Sequence, residues 1–171
     1  MEEEKTLVKE MASEGYDAAD RPFDFIEEGG ATALLCEPDP AVREKVSGSL
    51  KEMGYQITVP ATAKDALKAM RFHVFDLVVL NELFDTSDPQ ANGVHQYLEG
   101  MAMTTRRRFF VALVTARFRT MDNMAAFNRS VNIIINLKNI DEAGKIIKQG
   151  VADNRAFYHV FQETLQKMGK A

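Results

Sequence analysis

The chain has 171 residues, 46% hydrophobic and 27% charged, which suits one folded domain with extensions and excludes wholesale disorder. Its net charge of −4 is uneven: residues 1–30 hold ten acidic and three basic side chains, which leaves fifteen acidic and eighteen basic for the rest. With no concentrated basic face, a nucleic-acid partner is not expected, and with no apolar run near the roughly 18 residues of a bilayer span, neither is a membrane.

Residues 1–30 read as an acidic leader or linker, with a partner domain joined through it as the open alternative. Thr6–Met11 offers a helical turn or two, Tyr16–Phe25 has no period, and Glu27-Glu28-Gly29-Gly30 reads as a flexible boundary. Met1–Glu10 is acidic, where a secretory signal is basic and then apolar, so a cytoplasmic location is expected. The lone cysteine, Cys36, excludes an internal disulfide and a cysteine-based zinc site. Lying in an apolar run, it reads as core.

From residue 31 strands and helices alternate. Thr32–Cys36 is an apolar strand. Asp39 and Pro40 then supply an N-cap and first-turn proline for a helix carrying Val42, Val46, Leu50 and Met53. Gln56–Val59 reads as a strand, and Thr62 with Asp65 as the capping pair of a helix reaching Arg71. Asp76–Leu80 is the clearest buried strand. A polar loop, Glu82–Asn92, leads to a helix with Val94, Tyr97, Leu98 and Met101 on one face. Phe109–Val114 is a fourth strand, Thr120 caps a short helix over Met121–Asn128, Val131–Ile135 is a fifth strand, and a last helix begins near Asn139–Asp141.

Five strands alternating with five helices through short loops predict a doubly wound α/β domain with one parallel sheet over 31–150. Ligands of such sheets bind beyond the carboxyl ends of the strands. Those ends carry Glu37, Pro38 and Asp39, then Asn81 and Glu82, then Thr115 and Ala116, then Asn136 and Lys138.

Three stretches in this order, ALLCEPDPAVREKVSGSLKEMGYQI, FDLVVLNELF and FFVALVTA, resemble the receiver domain of bacterial response regulators over about residues 32–150. The resemblance implies a flavodoxin-like (βα)5 fold and a two-component signalling role in the cytoplasm. In that family an aspartate attacks phosphorus, neighbouring acids hold Mg²⁺, a lysine pairs with the phosphoryl group, and a Thr or Ser hydroxyl reads it. Asn81 falls at the attacking position, and a carboxamide is no nucleophile. Glu37 falls at the first acid of the metal-binding turn, but Pro38 at the second offers no ligand. Thr115 and Ala116 match. Asn136 or Leu137 falls where the lysine belongs, with Lys138 just beyond, and Ile133–Ile135 lack the aromatic switch residue. The resemblance therefore implies a pseudo-receiver: no enzyme, no cofactor and no bound metal, acting through protein contacts.

Blander readings stand beside these. Asn81 also reads as a plain end-of-strand cap. Glu82 and Asp85 are possible substitute acceptors in a phospho-switch, but Glu82 should point away from Asn81, and both read better as solvated loop acids. A further alternative is a small-ligand or anion sensor using the vestigial pocket. His73, His95 and His159 show no metal spacing and read as satisfied or surface histidines. Arg106, Arg107, Arg108, Arg117 and Arg119 bracket the fourth strand and could meet phosphate, an acidic partner or the acidic leader, but read better as a solvated basic edge. Residues 151–171 form a C-terminal helical extension on which Phe157, Val160, Phe161, Leu165 and Met168 make an apolar stripe. It packs back on the domain or meets a protein partner, a second copy included, with the partner slightly favoured.

Overall fold

A computed structural model describes residues 30–170; the expected leader, apart from its last residue, lies outside the described residues. Strand β1 (Thr32–Cys36) is followed by helix α1 (Pro40–Glu52), β2 (Gln56–Thr58), α2 (Ala63–Phe72) and β3 (Leu77–Asn81). A one-turn 3-10 helix (Pro89–Ala91) leads to α3 (Gly93–Glu99), the short α4 (Met103–Arg106) and β4 (Phe110–Thr115). Then come α5 (Asn123–Asn128), β5 (Ile133–Asn136), a 3-10 segment (Leu137–Glu142) and the 25-residue α6 (Ala143–Lys167). All strand pairs are parallel, in the order β2-β1-β3-β4-β5. The expected five-stranded, doubly wound sheet is therefore the one observed.

Side chains of a strand alternate between faces, and the core divides accordingly. Leu34, Cys36, Val78, Leu80, Val111, Leu113 and Ile134 pack with Ala66 of α2, Val94 and Leu98 of α3 and Ala126 of α5. Ala33, Leu35, Leu77, Val79, Ala112, Val114 and Ile135 pack with Val46 and Leu50 of α1 and with Ala143 and Ile147 of α6. Cys36 is core, as expected, and burial pushes its thiol pKa far above the ordinary range.

The caps follow local chemistry. Asp39 accepts from the amides of Ala41 and Val42, and Thr62 accepts from Asp65, both as the sequence predicts. Thr120 does not cap α5: Asp122 does, accepting from Ala125, while the Thr120 hydroxyl accepts from the Asn136 amide and bonds Asn139 Oδ1. Strand β5 starts two residues later than expected, because the Asn132 side chain takes the Val111 amide. The 103–106 turn was not anticipated. It ends in Arg106, which departs from the expected solvated edge by being buried.

Helix α6 runs unbroken through the expected boundary at residues 150 and 151. Gly150 lies against the sheet, where a Cβ would come within 2.9 Å of the Phe110 ring and 3.2 Å of Ile133. Beyond it the helix runs along the 104–108 segment, with Asn154 near Asn132 and the Phe161 ring 5.4 Å from the Arg107 guanidinium carbon. Phe157, Val160, Phe161 and Met168 of the expected stripe are exposed and Leu165 is half-buried; Phe161 and Leu165 also line a groove of about 420 Å³ with Thr104, Arg107 and Tyr158. Among the described residues no helix is long and apolar enough to cross a membrane.

Candidate functional site

Register assembles the site. Cys36 pairs with Leu80 and Asn81 with Val114, so one step further the ladder sets Glu37 beside Asn81 and Glu82 beside Thr115. The Glu82 amide continues it by donating to the Val114 carbonyl at 3.0 Å. Alternation then sorts the four side chains. Glu37 and Asn81 fall on the α1/α6 side, and Glu82 and Thr115 on the α2/α3/α5 side. All four are buried.

In the first pair the Asn81 Nδ2 donates to both Glu37 carboxylate oxygens, at 3.0 and 2.8 Å. The Asn81 Oδ1 accepts from the Leu83 amide at 2.9 Å, so the carboxamide spends its donor and acceptor inside the protein. Glu37 also accepts from the Asp39 amide at 3.0 Å, and Asp39 itself is exposed and committed to capping α1. Burial raises the Glu37 pKa above its ordinary value, against the opposing pull of the Asn81 and Asp39 hydrogen bonds; the Asp39 charge adds to the rise and Arg43 opposes it. Pro38 is exposed and offers no ligand. Among the described residues no group of three acids, histidines or cysteines is placed to hold a metal ion.

The raised pKa has a consequence for stability. Folded Glu37 binds its proton more tightly than unfolded Glu37, so its contribution is full below pH 4.5, the ordinary value, and is lost as pH rises through the folded pKa. The urea-derived unfolding free energy is expected to carry a falling limb as pH rises from 4.5 that Glu37→Gln removes. Identical limbs in the two proteins would assign the proton to another group.

In the second pair the Thr115 hydroxyl donates to Glu82 Oε1 at 2.6 Å and accepts from the Arg117 amide at 3.0 Å. The Arg117 guanidinium donates to Glu82 Oε2 through Nε at 3.0 Å and Nη2 at 2.8 Å. Glu82 does turn away from Asn81, but it is not solvated: it is 5% exposed, held by Thr115 and a cation. The expectation failed because a loop position was weighed by composition, whereas the register places the Thr115 hydroxyl beside it and the turn after β4 brings Arg117. Asp85 is exposed and caps α2 by accepting from the Ala63 amide at 2.8 Å. Neither acid is an idle acceptor.

At the fifth strand Asn136, paired with Thr115, occupies the end position. Its Nδ2 donates to the Phe118 carbonyl at 2.7 Å and its Oδ1 accepts from the Lys138 amide. The Lys138 side chain is exposed and bonds none of Glu37, Asn81, Glu82 or Thr115, so it is not part of the cluster. Ala116 is exposed beside it, with only a long contact from Asn136 to its carbonyl.

Two buried neighbours support the cluster, of which Asn92 was not singled out from the sequence and His95 is a satisfied histidine. Asn92 is fully buried: its Nδ2 donates to the carbonyls of Asn81 and Glu82, and its Oδ1 accepts from the His95 amide as the cap of α3. An asparagine before Gly-Val-His was a readable cap signal. His95 is buried, with its Nε2 2.7 Å from the Arg129 carbonyl, and it ties α3 to α5.

No protein-family model matches the sequence, and no curated protein matches it significantly. Solved structures do. A CheY-like response regulator receiver domain protein from Methanospirillum hungatei JF-1 matches with TM-score 0.55 and 20% identity, over 74% of this chain and 97% of that one. The chemotaxis response regulator CheY4 of Vibrio cholerae gives 0.56 and 15%, over 71% and 98%. An orphan response regulator of H. pylori, HP1043, gives 0.55 and 16%, over 72% and 98%. Together with the 2-1-3-4-5 strand order, these likenesses show that the chain has the fold of the response-regulator receiver domain.

Proposed function

We propose that the chain is a non-enzymatic, receiver-like signalling module that works without aspartyl phosphorylation. One observation carries this reading: the residue ending β3 is Asn81, whose carboxamide is consumed by Glu37 and the Leu83 amide. The lone pair of a carboxamide nitrogen is delocalised into its carbonyl and is not available to phosphorus, and here the N–H groups are committed to a carboxylate. The neighbouring losses agree. Pro38 brings no ligand, Asp39 is tied up in a cap, and Lys138 stands outside the cluster.

In this reading residues 31–150 are the receiver-like unit and residues 151–171 an extension that recognises a protein. The exposed Phe157, Val160 and Met168, beside the groove at Phe161 and Leu165, supply its apolar contact, with a second copy of the chain as one candidate partner. The module would act in the cytoplasm of a bacterium.

The test is to add acetyl phosphate or beryllofluoride with Mg²⁺ and follow amide shifts at Asn81 and Thr115. No saturable, Mg²⁺-dependent response is expected. Nor is Asn81→Asp alone expected to create an acceptor, because Glu37 is buried and the second acid and the lysine are still missing. A phosphoryl adduct in the intact mass of that variant contradicts the reading.

A further inference from the structure

On the Glu82 side three donors converge on one carboxylate: the Thr115 hydroxyl on Oε1, and Nε and Nη2 of Arg117 on Oε2. The Thr115 oxygen is oriented by the Arg117 amide, so its hydrogen has a fixed direction. The Arg117 guanidinium carbon also lies over the Phe118 ring, 5.1 Å from its centroid, and that of Arg129 lies over the same ring at 5.4 Å. A hydroxyl and a planar guanidinium aimed at two oxygens form a receptor for a small oxyanion.

We propose that Thr115 and Arg117 are an oxyanion receptor whose resident occupant is the carboxylate of Glu82. The chain thus carries its own anion, and the segment after β4 is held on it with no anion added. This concerns the β4 side of the pocket and goes beyond the reading above, because it does not depend on whether Asn81 is inert. Selectivity follows from tethering. A ligand attached to the same scaffold acts at millimolar effective concentration or more, so dilute free oxyanions do not displace it. The class of ligand the receptor takes, once the tethered group is gone, is a small carboxylate or inorganic phosphate.

The test titrates the full chain with acetate and, separately, inorganic phosphate at constant ionic strength, following the amides of Thr115–Phe118. Glu82→Ala removes the occupant and leaves space for it. Both anions are expected to give saturable shifts in Glu82→Ala at concentrations at least about tenfold below any response of the wild type. The response is expected to vanish in Glu82→Ala combined with Arg117→Ala. Three results overturn the proposal: wild type and Glu82→Ala responding alike, Glu82→Ala not responding, or the response surviving loss of Arg117. A role in packing alone predicts no anion-dependent recovery.

Where Glu82→Ala does not fold, a double-mutant cycle between Glu82→Gln and Arg117→Ala decides. The thermal shifts of the single variants are expected not to add, and full additivity overturns the proposal. A beryllofluoride response of the wild type is a separate result. It bears on Asn81 and leaves these comparisons untouched.

Discussion

Arg106→Met is expected to lower the unfolding free energy by about 3 kcal/mol, while Arg108→Ala, two residues on, changes it by about 0.5 kcal/mol or less. Arg106 is 8% exposed, and its guanidinium donates to the Phe109 carbonyl at 3.1 Å, the Ser130 carbonyl at 2.9 Å and Asn132 Oδ1 at 3.0 Å. All three acceptors are neutral, and burial lowers the Arg106 pKa to about 10. Methionine replaces the stem but brings no donor. Two backbone carbonyls then lose this partner, at about 1–3 kcal/mol each where water cannot reach them. Relief from desolvating a charge offsets part of that loss. Asn132 Oδ1 keeps the Val111 amide, so the strand pairing nearby survives. Urea unfolding of both variants checks the contrast. Equal losses would mean that the two arginines share one environment, against the burial of the first and the exposure of the second.

Asn92→Ala is expected to be nearly as severe, at about 2–4 kcal/mol. The substitution removes the cap of α3, by itself about 1 kcal/mol. It also takes the donor from the carbonyls of Asn81 and Glu82, in a place with no solvent exposure. Asn92→Asp separates the two contributions. The aspartate keeps an oxygen for the His95 amide but has no Nδ2 to give, so a loss comparable to that of alanine assigns the larger share to the two carbonyls. Amide shifts at Asn81 and Leu83 are expected to move in both variants, since Asn92 supports the backbone from which those groups hang. A stability change with those shifts unmoved would place the effect in α3 alone.

Much of this was readable in the chain because its signals are local. The apolar runs at Thr32–Cys36, Asp76–Leu80 and Phe109–Val114 announce buried strands, and Asp39-Pro40 and Thr62 announce the helices between them. The place of Asn81 at a strand end follows from the run before it. The partners of that strand end do not. Glu82 meets Thr115 because β3 and β4 pair with Asn81 opposite Val114, a non-local register that no window of sequence contains. Arg117 joins through the turn after β4, whose path also depends on Asn136 holding the Phe118 carbonyl. Arg106 was misjudged for a similar reason. Three consecutive arginines look solvated, yet the 103–106 turn aims the first at carbonyls supplied from 24 residues further on. Thr120 was a fair cap by composition, and Asp122 displaced it by lying two residues nearer the helix.

The single helix that closes the sheet also has the proportions of a lever. From Gly150 to Met168 the rod extends about 27 Å at 1.5 Å per residue, and nothing in its dihedral pattern interrupts it. Its fulcrum is the contact of Gly150 with Phe110 and Ile133, which has no room for even one added carbon. A rotation of about 10° there would carry the far end through about 5 Å, nearly one helical pitch. Small changes of packing beneath β4 and β5 would thus be magnified at Val160 and Met168.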